Sequence, residues 1–312
     1  MHPAYSVILF TTASGAGYGM LFWLGLAAAL GAGPGPGWTG IAALTLALAL
    51  VTLGLLSSTF HLGHPERAWR ALSQWRTSWL SREGVLAVAT YLPAGLWWLA
   101  WVTGLWAGAV PLLAGLAALG AVATVWSTAM IYASLRTVRQ WHRGDVGPVY
   151  LALAAATGAL GLAPFAAAGP AAGPGWVALA GLAALAVAAA LKWRYWAGID
   201  ADPGRFTAEQ ATGLGALGRV RPLDPPHTQP NFVMREMGYS VARRHALTLR
   251  RGVMLGLFAL PGALVALALA LGAAWPLIPA LPLAAAGVLT ERWLFFAEAE
   301  HVSQLYYGRA RA

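Results

Sequence analysis

The sequence of 312 residues contains no cysteine and few charged residues. Without cysteine the chain forms no disulfide bond, offers no thiolate to zinc and cannot itself hold a cysteine-ligated iron–sulfur cluster. Charged side chains make up 10% of the residues, against about 25% in soluble domains. Because so few charges cannot cover a globular surface in water, the composition predicts a protein surrounded by lipid.

Histidine is missing from the centre of every long apolar run. The seven histidines are His2, His61, His64, His142, His227, His245 and His301. A membrane haem of the b type takes its axial histidines from within the spans, so this distribution argues against a bound haem. A zinc site on His61 and His64 would lack further ligands nearby in the sequence. We therefore expect neither a haem nor a metal ion in this chain.

Hydrophobic residues make up 59% of the chain and are concentrated in long runs. A helix needs about 20 apolar residues to cross a bilayer, and eight runs reach that length. Their predicted bounds are Tyr5–Leu30, Trp38–Phe60, Glu83–Leu105, Val110–Leu135, Gly147–Ala168, Trp176–Tyr195, Gly252–Leu271 and Pro276–Ala299. Short connections between them predict antiparallel hairpins. The predicted fold is an all-α membrane protein with eight transmembrane helices, forming a single domain over residues 1–312.

Positive charges lie on alternate connections. The connections at 61–82, 136–146 and 192–251, together with the C-terminal tail, contain 19 of the 20 lysines and arginines. Under the positive-inside rule these connections and both termini face the cytoplasm. We therefore expect a multi-pass protein of the bacterial cytoplasmic (inner) membrane with N-in, C-in topology. The net charge of +9 then reflects topology, and we expect no nucleic-acid partner.

Residues 198–248 form the one long extramembrane segment that the sequence predicts. Connections longer than about 12–15 residues are usually functional or disordered. The second half, Asn231–His245, mixes apolar and basic residues. Such a composition suits lipid headgroups or the surface of a soluble partner protein. We predict a cytoplasmic loop for partner docking, with lipid binding as the alternative.

Ionisable residues flank the second connection. His61 and His64 follow the second predicted span, and Glu83 begins the third. A histidine and a carboxylate at a lipid edge can exchange protons near neutral pH. This chemistry suits a quinone, because its two-electron reduction also takes up two protons. The alternative is that these polar residues only mark the helix ends.

The last predicted span contains Glu291, Arg292 and Glu298. Glu291 and Glu298 are seven residues apart and share a helix face. These residues form either a buried ion pair that holds the bundle or part of a proton path or pocket wall. A proton path would also suit an ion-coupled secondary transporter, the alternative of another class. Transporters of that kind usually have internal repeats and broken helices, and no convincing repeat is visible here.

Several motifs together carry a resemblance to a known family. They are Met1–Ile8, His61-Leu-Gly63 with Pro65 and Arg67-Ala68, Ser81 with Glu83, and the segment Asn231–Arg244. In this combination the sequence resembles the DmsC-type (DMSO reductase family) membrane anchor subunits of molybdenum oxidoreductases. The resemblance extends over the whole chain, including the eight spans.

The resemblance implies a haem-free anchor that exchanges electrons between a membrane quinone, ubiquinone or menaquinone, and an iron–sulfur subunit. The complex would also contain a molybdopterin catalytic subunit, so the clusters and the molybdopterin belong to partners. This chain alone would not act on the sulfur substrate. The resemblance assigns quinone binding and proton transfer to His61, Gly63, Arg67, Trp69, Glu83 and Tyr132. Secondary candidates are His64, Arg82, Glu291 and Arg292.

The predicted topology indicates which members of the family the sequence resembles most. A cytoplasmic partner side is similar to the anchor of the cytoplasm-facing sulfite-oxidising complexes (SoeC), in which electrons flow from sulfite to quinone. The alternative within the family is the anchor of a dimethyl sulfoxide-type reductase, which oxidises quinol. A further alternative is a purely structural anchor that binds no quinone.

Overall fold

The computed structural model describes residues 4–31, 33–60, 62–169, 175–202, 204, 206–224, 229 and 244–307. His61 lies outside the described residues, as does the segment Asn231–Arg244 apart from Arg244 itself. In the part of the chain that is described, the regular structure is helical. An isolated antiparallel bridge joins Val138 to His301.

Among the described residues, eight helices are long and apolar enough to cross a membrane. They are α1 (Tyr5–Ala29), α2 (Trp38–Thr59), α3 (Trp79–Thr103), α4 (Val110–Ala133), α5 (Val146–Ala167), α6 (Gly175–Asp200), α7 (Ala246–Leu271) and α8 (Leu277–Ala297). The prediction of an all-α fold with eight spanning helices is therefore confirmed.

Three helices extend beyond the apolar runs from which they were predicted. Helix α3 begins at Trp79, α6 continues to Asp200, and α7 begins at Ala246. The prediction that a connection begins at Lys192 was therefore wrong, and both ends of the predicted loop 198–248 belong to helices. The reason is physical: an apolar window detects only the part of a helix at hydrocarbon depth, whereas backbone hydrogen bonding continues into polar sequence.

Consecutive helices pack as hairpins, α1 with α2, α3 with α4, α5 with α6 and α7 with α8, as predicted. Helix α1 is the central helix, because it also contacts α4, α5 and α8. Its closest crossing is with α5, where Gly19 faces Gly158. A Cβ atom at Gly19 would overlap the carbonyl group of Ala154, and one at Gly158 would overlap the backbone of Gly19. Small residues therefore allow the two backbones to touch, as is common between membrane helices.

The alternating direction of the helices defines one end of the bundle that matters for function. We call it the arginine-rich end: there α1, α3, α5 and α7 begin and α2, α4, α6 and α8 end. The polar residues Glu83 in α3, Thr128 in α4, Tyr150 in α5 and Arg292 in α8 each lie four or five residues inside the helix end found there. At 1.5 Å per residue this is a depth of about 6–8 Å. Residues distant in sequence thus share one layer.

Candidate functional site

Glu83 lies in the interior of the bundle, with 5% of its surface exposed. The hydroxyl of Thr128 on α4 donates a hydrogen bond to its Oε1. Among the described residues, no lysine or arginine forms an ion pair with this carboxylate. Glu83 is therefore a buried carboxyl group held by a neutral donor, the kind of group that can accept and release a proton.

Three tyrosines surround this carboxyl group at slightly longer range. Glu83 interacts electrostatically with the hydroxyls of Tyr18, Tyr132 and Tyr150. The structure thus brings together two residues predicted from sequence, Glu83 and Tyr132, in one polar layer. It adds Tyr18 and Tyr150, which sequence reasoning missed because each is a single tyrosine within an apolar run.

Tyr132 is the centre of an aromatic cluster. Its ring centroid lies 5.2 Å from that of Trp141, 6.0 Å from Tyr150, 5.5 Å from Phe295 and 5.3 Å from Phe296. The indole of Trp141 also donates to the carbonyl of Phe295 at 2.9 Å. Edge-to-face contacts at these distances hold the rings in fixed orientations. The cluster fastens α4, α5 and α8 together beside Glu83.

A cluster of three buried charges lies on the other side of these rings. The guanidinium of Arg292 donates to both carboxylate oxygens of Glu291, at 2.5 and 2.7 Å. The ammonium of Lys192 on α6 pairs with Oε1 of the same carboxylate. Lys192 and Glu291 are fully buried and Arg292 is 2% exposed. The interpretation of Glu291 and Arg292 as a buried ion pair agrees with this geometry, and the structure adds Lys192.

The two cations, Arg292 and Lys192, also pack against the faces of aromatic rings. The Cζ atom of Arg292 lies 4.2 Å from the ring centroid of Tyr150 and 4.7 Å from that of Phe295. The Nζ atom of Lys192 lies 4.2 Å from the centroid of Tyr195. Such contacts stabilise a desolvated cation. Lys192 was misassigned from sequence because it stands at the end of an apolar run beside an arginine, where a topological charge is expected.

The charged layer continues to the surface through Arg250 on α7. Its guanidinium donates to Glu298 at 2.9 Å and to Asp200 at 2.7 Å. Glu298, just beyond the end of α8, is 6% exposed, and burial raises the pKa of its carboxyl group despite the neighbouring arginine. These contacts tie the ends of α6, α7 and α8 to each other.

A small polar cavity lies between Thr128, which binds Glu83, and Arg292 of the charged cluster. It has room for about one water molecule, with a volume of about 20 Å³. Thr128, which binds Glu83, lines one side, and Arg292, which binds Glu291, lines another. Tyr18 and Tyr150 also line it, and neither hydroxyl has a hydrogen-bond partner of acceptable geometry among the described residues. The cavity thus contains two tyrosine hydroxyls without an aligned hydrogen bond, next to the cation of Arg292 and the threonine that binds Glu83.

The predicted residues of the connection between α2 and α3 lie elsewhere. Gly63, His64, Arg67 and Trp69 are all exposed, on or next to the 3₁₀ helix Pro65–Gln74. His64 pairs with Glu66 at 3.1 Å, also at the surface. The structure therefore does not bring these four residues into the interior with Glu83, and they remain predictions as site residues.

Arg82 fixes this exposed segment to the start of α3. Its guanidinium donates to the carbonyls of Trp75 at 3.0 Å and Arg76 at 2.7 Å, and it lies 4.3 Å from the ring centroid of Trp79. The hydroxyl of Ser81 donates to the carbonyl of Ala71. Arg82 thus has a clear positioning role in the segment, next to the buried layer rather than within it.

Comparison with known proteins gives three findings. The sequence model of the family described as DMSO reductase anchor subunit (DmsC) matches residues 1–189. A sulfite dehydrogenase subunit from Allochromatium vinosum is 33% identical over 323 aligned residues, which cover 98% of this chain and 99% of the relative. Anaerobic dimethyl sulfoxide reductase chain YnfH of Escherichia coli is 36% identical over 97 residues, 30% of this chain and 34% of the relative.

Proposed function

Because the chain belongs to the family of DMSO reductase anchor subunits (DmsC), it is a membrane anchor, and we propose that it exchanges electrons between a membrane quinone and an iron–sulfur partner subunit. The proposed complex also contains a molybdopterin catalytic subunit, which performs the chemistry on the sulfur substrate. The observation that carries the quinone proposal is the buried carboxyl group of Glu83, one helical turn inside the arginine-rich end.

The composition of the chain supports a quinone site at the same end as the partner. The sequence has no cysteine for a cluster and no histidine in the middle of a span for a haem. Electrons that leave a cluster in the partner therefore have no carrier within this chain to take them across the bilayer. A quinone must then meet the partner's cluster at one end of the bundle. Arginines on the connections favour the cytoplasm for that end.

Glu83 supplies the proton chemistry in this proposal. Reduction of a quinone takes up two electrons, here from the partner's clusters, and two protons to form the quinol. Glu83 donates or relays one of these protons, and Thr128 holds its carboxyl group in position. The sequence resemblance assigns proton transfer to His61 as well as to Glu83. Arg292 and Tyr150 provide a positive and hydrogen-bonding wall on the far side of the cavity.

The favoured direction of electron flow is from sulfite to quinone, so that the anchor reduces quinone while the catalytic subunit oxidises sulfite. The relative that aligns over 98% of this chain is named a sulfite dehydrogenase subunit, whereas the dimethyl sulfoxide reductase relative aligns over 30%. Oxidation of sulfite with water to sulfate releases two electrons and two protons, which balances quinone reduction to quinol. The alternative is quinol oxidation coupled to sulfoxide reduction, which runs the same anchor chemistry in reverse.

The exposed 3₁₀ segment Pro65–Gln74 is the proposed docking surface, together with the loop that follows α6. Arg67 and Trp69 project from it at the arginine-rich end. An exposed tryptophan among arginines is typical of residues that dominate binding between proteins. Trp69→Ala should reduce the amount of iron–sulfur protein that co-purifies with the anchor, while Trp275→Ala, at an exposed tryptophan between α7 and α8 at the opposite end of the bundle, should not.

The test of quinone exchange uses the intact complex in lipid nanodiscs. Sulfite-dependent reduction of decylubiquinone is compared with sulfite-dependent reduction of a soluble dye that accepts electrons from the catalytic subunit directly. Glu83→Gln should lower quinone turnover by about 100-fold or more, the size of a general acid–base contribution, and leave dye turnover intact. Dye turnover by the same preparation is the control for assembly of the complex. Unchanged quinone turnover in an assembled Glu83→Gln complex would refute the proposed role.

A further inference from the structure

An apolar groove runs along the outside of the bundle between α1, α2, α5 and α8. Its volume is about 540 Å³, and its lining is almost entirely apolar. Leu9, Leu46 and Leu289 line it and are each 39–50% exposed, so its rim lies on the lipid-facing surface. A groove of this kind at membrane depth is open to an apolar molecule that arrives from the bilayer rather than from water.

The groove meets the polar cavity at its inner side. Thr12, Ala16, Thr157 and Val288 line both spaces. The hydroxyls of Thr12 and Thr157 are already bonded to carbonyls of their own helices, at 2.8 Å to Ile8 and 2.8 Å to Leu153. The hydroxyls of these two threonines therefore already have hydrogen-bond acceptors within the chain.

The tyrosine hydroxyls at the inner end differ from the threonines. Tyr18 faces the hydroxyl of Thr124, but the tyrosine hydroxyl has no hydrogen bond of acceptable geometry among the described residues. Tyr150 lies beside the guanidinium of Arg292, again without an aligned bond. Both tyrosines are more than nine-tenths buried. Buried hydroxyls are nearly always hydrogen-bonded, so these two point to an acceptor oxygen that is supplied from outside the chain.

We propose that this combined space is the quinone site, entered sideways from the bilayer through the groove. The inference rests on the quinone exchange proposed above and adds the location, the entry path and the residues. A cavity of about 20 Å³ admits one oxygen-sized group, not a ring. The quinone ring therefore lies in the groove with one carbonyl oxygen in the cavity, where Tyr18 and Tyr150 donate to it. The isoprenoid tail extends along the apolar wall.

This placement explains how Glu83 reaches the quinone without contacting it directly. Thr128 lines the cavity and donates to Glu83. A proton from the carboxyl group thus needs to pass only the Thr128 hydroxyl to arrive at the quinone oxygen. The site is built from α1, α2, α4, α5 and α8, whereas the exposed residues Arg67 and Trp69 do not line it.

Two other grooves fit less well. One, of about 300 Å³ between α1, α4 and α5, is smaller and shares three residues with the polar cavity, Tyr18 among them, whereas the large groove shares four. Another, of about 330 Å³ between α3 and α4, shares no residue with the polar cavity. Each nevertheless supplies a matched control, because each has an exposed small residue on its wall: Val122 in the first and Ala89 in the second.

The first test compares three tryptophan substitutions in the intact complex in nanodiscs, with decylubiquinone as the probe. Ala285 is an exposed residue on the wall of the large groove, and Ala285→Trp should raise the KM for decylubiquinone at least tenfold. Val122→Trp and Ala89→Trp should change it less than twofold. Dye reduction by the catalytic subunit should stay constant in all three. A larger effect of either control, or a wild-type KM for Ala285→Trp, overturns the inference.

The second test locates the ligand directly. The wild-type complex is irradiated with a short-tailed ubiquinone analogue that carries an azido group on the ring, and labelled peptides are identified by mass spectrometry. Labelling of α1, α5 or α8, competed by decylubiquinone, supports the site. Labelling confined to residues 62–78 or to α3, or a groove that retains only lipid, overturns it. If the wild-type complex reduces quinone but is labelled elsewhere, only the proposed location is wrong. If it reduces no quinone at all, the proposed function is wrong as well.

Discussion

The hydroxyl of Thr128 on α4 donates a hydrogen bond to the buried carboxylate of Glu83 on α3. This contact joins a residue that sequence motifs single out to one that they do not. It also borders the cavity between Tyr18, Tyr150 and Arg292. The positioning of Glu83 therefore depends on a residue of another helix, and this dependence can be measured.

Replacement of Thr128 by valine removes the hydroxyl and keeps the shape of the side chain. A hydrogen bond to a charged group contributes about 1.5–3 kcal/mol, so we expect quinone turnover to fall roughly 10- to 100-fold. Thr128→Ser keeps the donor and should retain most of the turnover. Steady-state kinetics with decylubiquinone check both variants. Equal activity of Thr128→Val and Thr128→Ser would show that the hydroxyl does not matter.

The buried cluster of Lys192, Glu291 and Arg292 predicts that replacement of Glu291 destabilises the protein more than replacement of Lys192. Glu291 neutralises both Lys192 and Arg292, so Glu291→Gln leaves two cations buried without a counter-charge. Loss of one partner of a buried ion pair costs about 3–5 kcal/mol. Lys192→Met, by contrast, leaves the pair of Glu291 and Arg292 intact and should cost far less. Thermal unfolding in detergent measures the difference, and equal destabilisation by the two changes would contradict this description of the cluster.

Glu298 predicts a pH dependence of stability. Burial raises the pKa of its carboxyl group above the ordinary value of 4.5, and the negative charge of Asp200 adds to this, although the cations Arg250 and Lys192 lower it. The folded state therefore binds the proton more tightly than the unfolded state does. The contribution of this group to stability is fully present below about pH 4.5 and is lost as the pH rises through the raised pKa.

The variant Glu298→Gln isolates this effect. We expect the Tm of the wild type, measured relative to that of Glu298→Gln, to decrease as the pH is raised from about 4.5 to 8. A difference in Tm that is constant with pH, or one that increases with pH, would show that the pKa of Glu298 is not raised in the folded protein.

The crossing of α1 and α5 predicts opposite effects for two glycines of one helix. Gly19→Ala forces a methyl group into the backbone of α5 and should destabilise the protein by about 1–3 kcal/mol or more. Gly15→Ala meets no atom within 4 Å and should be neutral or stabilising, because alanine has a helix propensity about 1 kcal/mol better than that of glycine. Thermal unfolding in detergent tests this pair. Similar Tm values for the two variants would contradict the close crossing.

The sequence indicated part of the site because its signal is local. A carboxylate beside an arginine-rich connection stands out in an apolar chain, so Glu83 could be identified, and Glu291 and Arg292 stand out in the same way. Arg67 and Trp69 lie in the same motif as the histidine, yet their side chains are exposed. None of the residues of the 3₁₀ segment Pro65–Gln74 is buried, and a sequence motif does not contain that information.

By itself, the sequence predicted a chain surrounded by lipid and the eight spanning helices that are found among the described residues. These follow from composition and from run length, which act on each segment separately. Only the tertiary structure decided that Lys192 is buried against Glu291, that Thr128 holds Glu83, and that Tyr18 and Tyr150 share a cavity. Each of these depends on which helices touch and at what height, and that is set by the packing of small residues between helices far apart in the chain.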